Sequence, residues 1–68
     1  MGSLTEIDWQ FINGYRHGRN LDYPPPRKEA HPAYKHSFRV GRAEVSGNPI
    51  PYRVAERRAN MIEEALHP

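Results

Sequence analysis

The sequence predicts an all-α fold of three short helices, and three observations predict it. Apolar residues recur at helical three-and-four spacing in three separate stretches. Clusters rich in proline and glycine punctuate those stretches, and no alternating apolar–polar run exceeds four residues. With 68 residues, 37% of them hydrophobic, residues 1–68 can form one small domain around one small core.

Ser3-Leu4-Thr5-Glu6 matches a capping box, so a first helix is expected from about residue 4 to 18. Leu4, Ile7, Phe11, Tyr15 and Gly18 follow one face, with Gly14 beside them, while Trp9 and Ile12 fall off it and form a second apolar surface. Trp9 is open either to a partner or to the proline-rich loop. Gly14 and Gly18, four apart, form a notch into which another helix can pack. Each glycine costs up to about 1 kcal/mol of helix propensity, which close packing must offset. Gly18 to Asn20 can close the helix in a left-handed conformation.

A loop is expected over residues 19–31, stiffened by Pro24-Pro25-Pro26. That run is a turn or spacer, and too short to favour a ligand for an SH3 or WW domain. A second helix opens at Pro32 and extends to about residue 46, with Tyr34, Phe38, Gly41 and Val45 on one face and Lys35, Arg39 and Arg42 roughly opposite. Ser46-Gly47-Asn48-Pro49 stops it. A third helix is expected over about 51–66, with Val54, Ala55, Met61, Ile62, Ala65 and Leu66 on its apolar side. Glu63 and Glu64 oppose its macrodipole, so its end should fray unless docked.

Charge is distributed unevenly. Residues 13–44 hold seven Lys or Arg against Asp22, Glu29 and Glu44, whereas residues 1–12 are acidic and residues 45–68 balance. Basic side chains interleaved with Tyr15, Tyr23, Tyr34 and Phe38 suit a phosphate-bearing, base-stacking partner, although the same pattern describes core aromatics flanked by solvated charges. The absence of cysteine and of any long apolar run points to a cytoplasmic protein without disulfides or a membrane span. A chain this small is expected to draw stability from self-association, as a homodimer, or from a partner.

Gly14-Tyr15-X-X-Gly18, a proline-containing spacer, and Phe38-X-X-Gly41 followed by Glu44 resemble the pattern of the ribosome modulation factor family, over residues 11–45. Phe38 stands where that family usually has tryptophan, the second glycine after Arg19 is missing, and residues 48–68 add a helix. The resemblance implies a small basic helical hairpin in which Tyr15 and Phe38 knit two helices that Gly14, Gly18 and Gly41 allow to approach closely. It also implies binding to ribosomes or another RNA–protein assembly through residues 16–42. Arg16, Arg19, Arg27, Lys28, Lys35, Arg39 and Arg42 would carry that binding, with Tyr23 as a candidate stacking residue.

Two other readings come from the residues alone. An inhibitor or adaptor, of the type small phage and plasmid proteins provide, would bind a host protein through Trp9 and Ile12. A helix-turn-helix would place Arg53, Arg57 and Arg58 in a DNA groove, although Ser46 to Pro51 is a long turn for that motif. No enzyme is expected: Glu6 and Asp8 lie far in sequence from Glu63 and Glu64, and no phosphate-binding glycine loop is present. No cofactor is implied, and His17, His31 and His36 lack metal-ligand spacing.

Overall fold

Three helices make up the computed structural model, which describes residues 3–66 and so leaves the first two and last two residues of the expected domain outside. They are α1 (Glu6–Gly18), α2 (Pro32–Val45) and α3 (Tyr52–Leu66), in agreement with the expected number and order. There is no strand among the described residues.

Helix α1 starts later than Ser3 would place it. The capping box is formed by Thr5 and Asp8: the Asp8 amide donates to Thr5 Oγ1 at 3.1 Å, and the Thr5 amide donates to Asp8 Oδ2 at 3.0 Å. This start puts Glu6 and Asp8 in the first turn, beside the positive end of the helix dipole. The far end also closes differently from expectation. Gly18 stays helical and buried, and Arg19 ends the helix in right-handed geometry, its amide donating to Tyr15 O. Only Gly47, after α2, has positive φ among the described residues, at 88°.

Gly14 and Gly18 are reserved for packing instead. A Cβ on Gly14 would collide with the carbonyl of Tyr34, and one on Gly18 with that of Phe38. Reciprocally, a Cβ on Gly41 would meet the backbone of Tyr15 and Arg19. Backbone therefore lies against backbone at three points, which only glycine permits. Because residue numbers rise together along both sides of this contact, α1 and α2 run in the same sense. The two helices are therefore a parallel pair, and residues 19–31 carry the chain back along it.

The core sits at this crossing and is small: Ala33 and Phe38 are its buried hydrophobic residues, joined by Gly14, Gly18 and Gly41. Helix α3 packs mainly against α2 and buries none of its residues. Ala55, Ala59 and Ile62 form its half-buried inner side, while Val54 and Met61, expected on the same apolar side, point outward with 56% and 62% of their surface exposed. His36 Nε2, in α2, donates to the Ala55 carbonyl at 3.0 Å and ties the two helices together.

Candidate cationic binding surface

Helix α2 separates the basic residues of the chain into two environments, because Lys35 and Glu44 are nine positions apart and so fall on opposite faces. On the Glu44 side, the Tyr15 hydroxyl donates to Glu44 Oε1 at 2.6 Å, and Arg19 Nη1 donates to the same oxygen. The Tyr15 hydroxyl, first, and then Glu44 hold Arg19 even more firmly protonated than an ordinary arginine. This exposed network is electrically satisfied. Arg19 therefore does not belong with the other candidate binding residues, and Tyr15 joins the helices at their edge through its hydroxyl, whereas Phe38 does so within the core.

On the opposite side, Lys35, Arg39 and Arg42 come together as expected. With Pro25, Pro26, Phe38, Ala43 and Ser46 they line a cleft of about 510 Å³ beneath the returning loop. Lys35 and Arg39 also border a second concavity of about 270 Å³ between α2 and α3, where Pro32, His36, Arg58 and Ile62 complete the wall. No carboxylate lines either one. Arg58 was expected only as part of a DNA-reading helix; its convergence with Arg39 arises from how α3 docks and has no signal in local spacing.

The cations on this surface are not equivalent. Arg42 is committed to the fold: its Nε donates to Gly18 O at 2.8 Å, and its Nη2 donates to Asn20 O at 3.0 Å and Tyr23 O at 2.8 Å. It donates to carbonyls where α1 ends and the loop begins, of which Asn20 O also accepts from the Tyr23 amide at 2.9 Å. Lys35 Nζ donates to Lys28 O at 2.9 Å, bracing the loop, yet lines both concavities. Arg39 is exposed between them, and among the described residues the one acid–base pair is Arg19 with Glu44.

The remaining expected binding residues lie around this surface or away from it. Lys28 is exposed on the loop. Arg27 borders a separate concavity of about 600 Å³ with Pro24, Pro25, Pro26, Glu29 and Tyr34. Arg16 is exposed on α1, away from the glycine face. Tyr23 stacks on His17, with ring centroids 4.0 Å apart and planes 14° from parallel, so one of its faces is covered. The aromatic residues beside the prolines are thus Tyr23 and Tyr34, while Trp9 is left 46% exposed and Ile12 is partly covered.

The three histidines among the described residues serve separate contacts. His17 Nδ1 meets the Tyr34 hydroxyl at 2.7 Å, His31 Nδ1 accepts from the Ala33 amide at the start of α2, and His36 reaches α3. Burial, and then the charge of nearby Tyr23, raise the pKa of the Tyr34 phenol, favouring its neutral form beside His17. Arg53 and Arg57 share the outer side of α3 with Glu56 and Glu64, while Arg58 turns toward α2, so the three arginines do not form one uninterrupted basic face. No family model, curated protein or solved structure matches the chain.

Proposed function

We propose that this chain is a non-catalytic binding protein for a ribosome or another RNA–protein assembly, acting through the surface where α2 meets the proline loop and α3. The observation that carries this reading is the pair of adjoining concavities lined by Lys35, Arg39, Arg42 and Arg58 and by no carboxylate. Arg39 and Arg58 are the principal phosphate ligands, Lys35 assists them, and Arg42 holds the wall on which they stand. The resemblance of residues 11–45 to the ribosome modulation factor family points to the same class of target.

The small number of available cations favours a composite target over naked RNA. Three phosphate contacts give a salt dependence with a slope of only about −2 to −3 in log K against log salt, and therefore modest affinity unless protein contacts contribute. Cosedimentation with ribosomes at low and raised salt tests the proposal. Salt-sensitive association that Arg39→Glu with Arg58→Glu abolishes supports it, and no association of the unmodified chain at low salt overturns it.

A second reading, binding to a host protein, is favoured by Trp9. This residue is 46% exposed on the opposite side of α1 from the glycines, and Leu4, just before the helix, is 50% exposed. The two occupy the positions just before the N-cap and four residues into the helix that pair in a hydrophobic staple, so together they make an apolar knob at one end of the molecule. Retention of the chain by a protein partner after nuclease treatment, lost on Trp9→Ala but not on Arg39→Glu, would favour this reading over the first.

A further inference from the structure

The outward side of α3 carries two features that the isolated chain leaves unexplained. Val54 and Met61, seven residues apart and so two turns along one side, are 56% and 62% exposed although α3 has an inner side of its own against α2. The charges of α3 are also arranged against its macrodipole. Its first turn contains no acid and its last turn no base; Arg53, Arg57 and Arg58 stand toward the positive end, and Glu63 and Glu64 toward the negative end. In a lone helix this order is unfavourable. Beside an oppositely directed copy of the same helix it is complementary, because basic first halves then face acidic second halves.

The groove on this side is formed by α3 alone, from Arg53, Glu56, Arg57, Asn60, Met61 and Glu64. Arg53, Arg57, Asn60 and Glu64 lie along it at the four-three-four spacing that keeps residues on one helical stripe, and Val54 and Met61 flank them on the same edge. We propose that this stripe is a self-association surface on which a second copy of the chain packs antiparallel, with Val54 meeting Met61 and Arg53 meeting Glu64 of the second copy. A two-fold axis passing between Arg57 and Asn60 sets Arg53 directly opposite Glu64 and leaves Val54 and Met61 of the second copy offset by only about 3 Å along the helix axis, within side-chain reach, with each contact formed twice. Asn60 then lies opposite Arg57 of the second copy near the axis, where a polar contact fixes register at some cost in stability. A parallel arrangement would instead set Arg53 on Arg53 and Glu64 on Glu64.

The contact is confined to one short helix from each copy. It falls among interfaces burying less than about 1,200 Å², which are weak and transient, and its ion pairs are screened by salt. Dimerisation at micromolar or higher concentration, weakening as salt rises, is the expected behaviour. The inference does not rest on the binding function proposed above.

Sedimentation velocity of the full chain, with two charge reversals, tests it. The unmodified chain should move from its monomer mass of 7.9 kDa toward twice that value as concentration rises. Arg53→Glu sets acid against acid and Glu64→Arg sets base against base, so each alone should weaken self-association by about tenfold or more. Mixed together they should pair with one another, because both contacts are restored with reversed sign. A chain that remains monomeric throughout, or a dimer indifferent to both reversals, would overturn the proposal. Should either reversal melt α3, a cysteine test decides: the chain has no cysteine, so Val54→Cys and Met61→Cys chains, mixed and oxidised, should cross-link to each other faster than either does to itself. Equal or absent cross-linking would count against the antiparallel register.

Discussion

The guanidinium of Arg42 lies 4.9 Å above the ring of Phe38, one helical turn earlier in α2, and from there reaches three backbone carbonyls of α1 and the loop. The side chain is thus a bracket between two helices and their connection, and its charge is consumed in that role. Arg42→Ala removes the guanidinium bonds to Gly18 O, Asn20 O and Tyr23 O, of which Asn20 O keeps the Tyr23 amide as donor, and uncovers Phe38, so it should destabilise the chain by about 2–3 kcal/mol, since a hydrogen bond to a charged group is worth about 1.5–3 kcal/mol. Arg42→Lys should recover little, because an ammonium lacks the planar fork that spans three acceptors. Urea unfolding followed by circular dichroism measures both; near-wild-type stability of Arg42→Ala would show the bracket to be unimportant.

Glycine to alanine usually strengthens a helix by about 1 kcal/mol. At Gly14 and Gly18 the opposite sign is expected, because the added methyl group meets the carbonyls of Tyr34 and Phe38, which are backbone and cannot turn aside. Overpacking of this type costs about 1–3 kcal/mol or more, and it removes the closest contact in a very small core. Gly47 is the comparison: a Cβ there meets nothing within 4 Å, so its replacement by alanine bears only the strain of φ at 88°, about 1–2 kcal/mol. Thermal melts should rank Gly14→Ala and Gly18→Ala below Gly47→Ala. The reverse order would remove the close parallel crossing from the fold.

These two sites show what could be read from the sequence and what could not. The three helices, the notch at Gly14 and Gly18, and Phe38 as a core residue follow from periodicity and from glycine placement, both of which are local. The start of α1 is ambiguous in the sequence because Ser3 and Thr5 each begin a capping pattern, and only the reciprocal bonds of Thr5 and Asp8 decide between them. The parallel sense of α1 and α2 is a property of the pair, so neither helix encodes it alone, although a long return through Pro24, Pro25 and Pro26 is what a parallel pair requires. Seven basic residues were grouped by proximity in sequence. Tertiary pairing with Glu44 withdraws Arg19, backbone bonding commits Arg42, and the docking of α3 adds Arg58.

Tyr34 gives the fold a sensitivity to alkali. Its pKa is raised in the folded state, so the folded chain keeps a proton that the unfolded chain loses near its ordinary value of 10.0. The associated stability is fully present below that pH and is lost as pH rises through the higher folded value. Tyr34→Phe cannot ionise and should flatten this part of the pH profile, while losing the hydrogen bond to His17 at neutral pH. Denaturant midpoints compared between neutral and strongly alkaline pH measure the effect; an identical alkaline decline in both proteins would locate its origin elsewhere.

Trp9 is the one tryptophan in the chain and reports on its own surroundings. With 46% of its surface exposed, it should emit at the long-wavelength end and be quenched readily by iodide or acrylamide. Trp9→Ala should change stability by no more than about 0.5 kcal/mol, as expected for a surface position. A partner covering this knob would shift the emission to shorter wavelength and protect it from quenching, whereas one bound at Arg39 and Arg58 would leave it unaltered. Titration with ribosomes or with a captured protein therefore reads out which surface is occupied.

Salt dependence separates phosphate ligands from structural cations. Removing one phosphate contact reduces the slope of log K against log salt by about 0.7–0.9, so Arg39→Gln and Arg58→Gln should each flatten the line by that amount while leaving the melting curve nearly unchanged. Arg19→Gln should do neither, because its partner is Glu44 on the other face of α2. Arg42→Gln should lower the melting temperature and weaken binding only in proportion to the unfolded fraction. If Arg19→Gln changed the slope and Arg39→Gln did not, the cationic surface would have to be moved to the opposite side of α2.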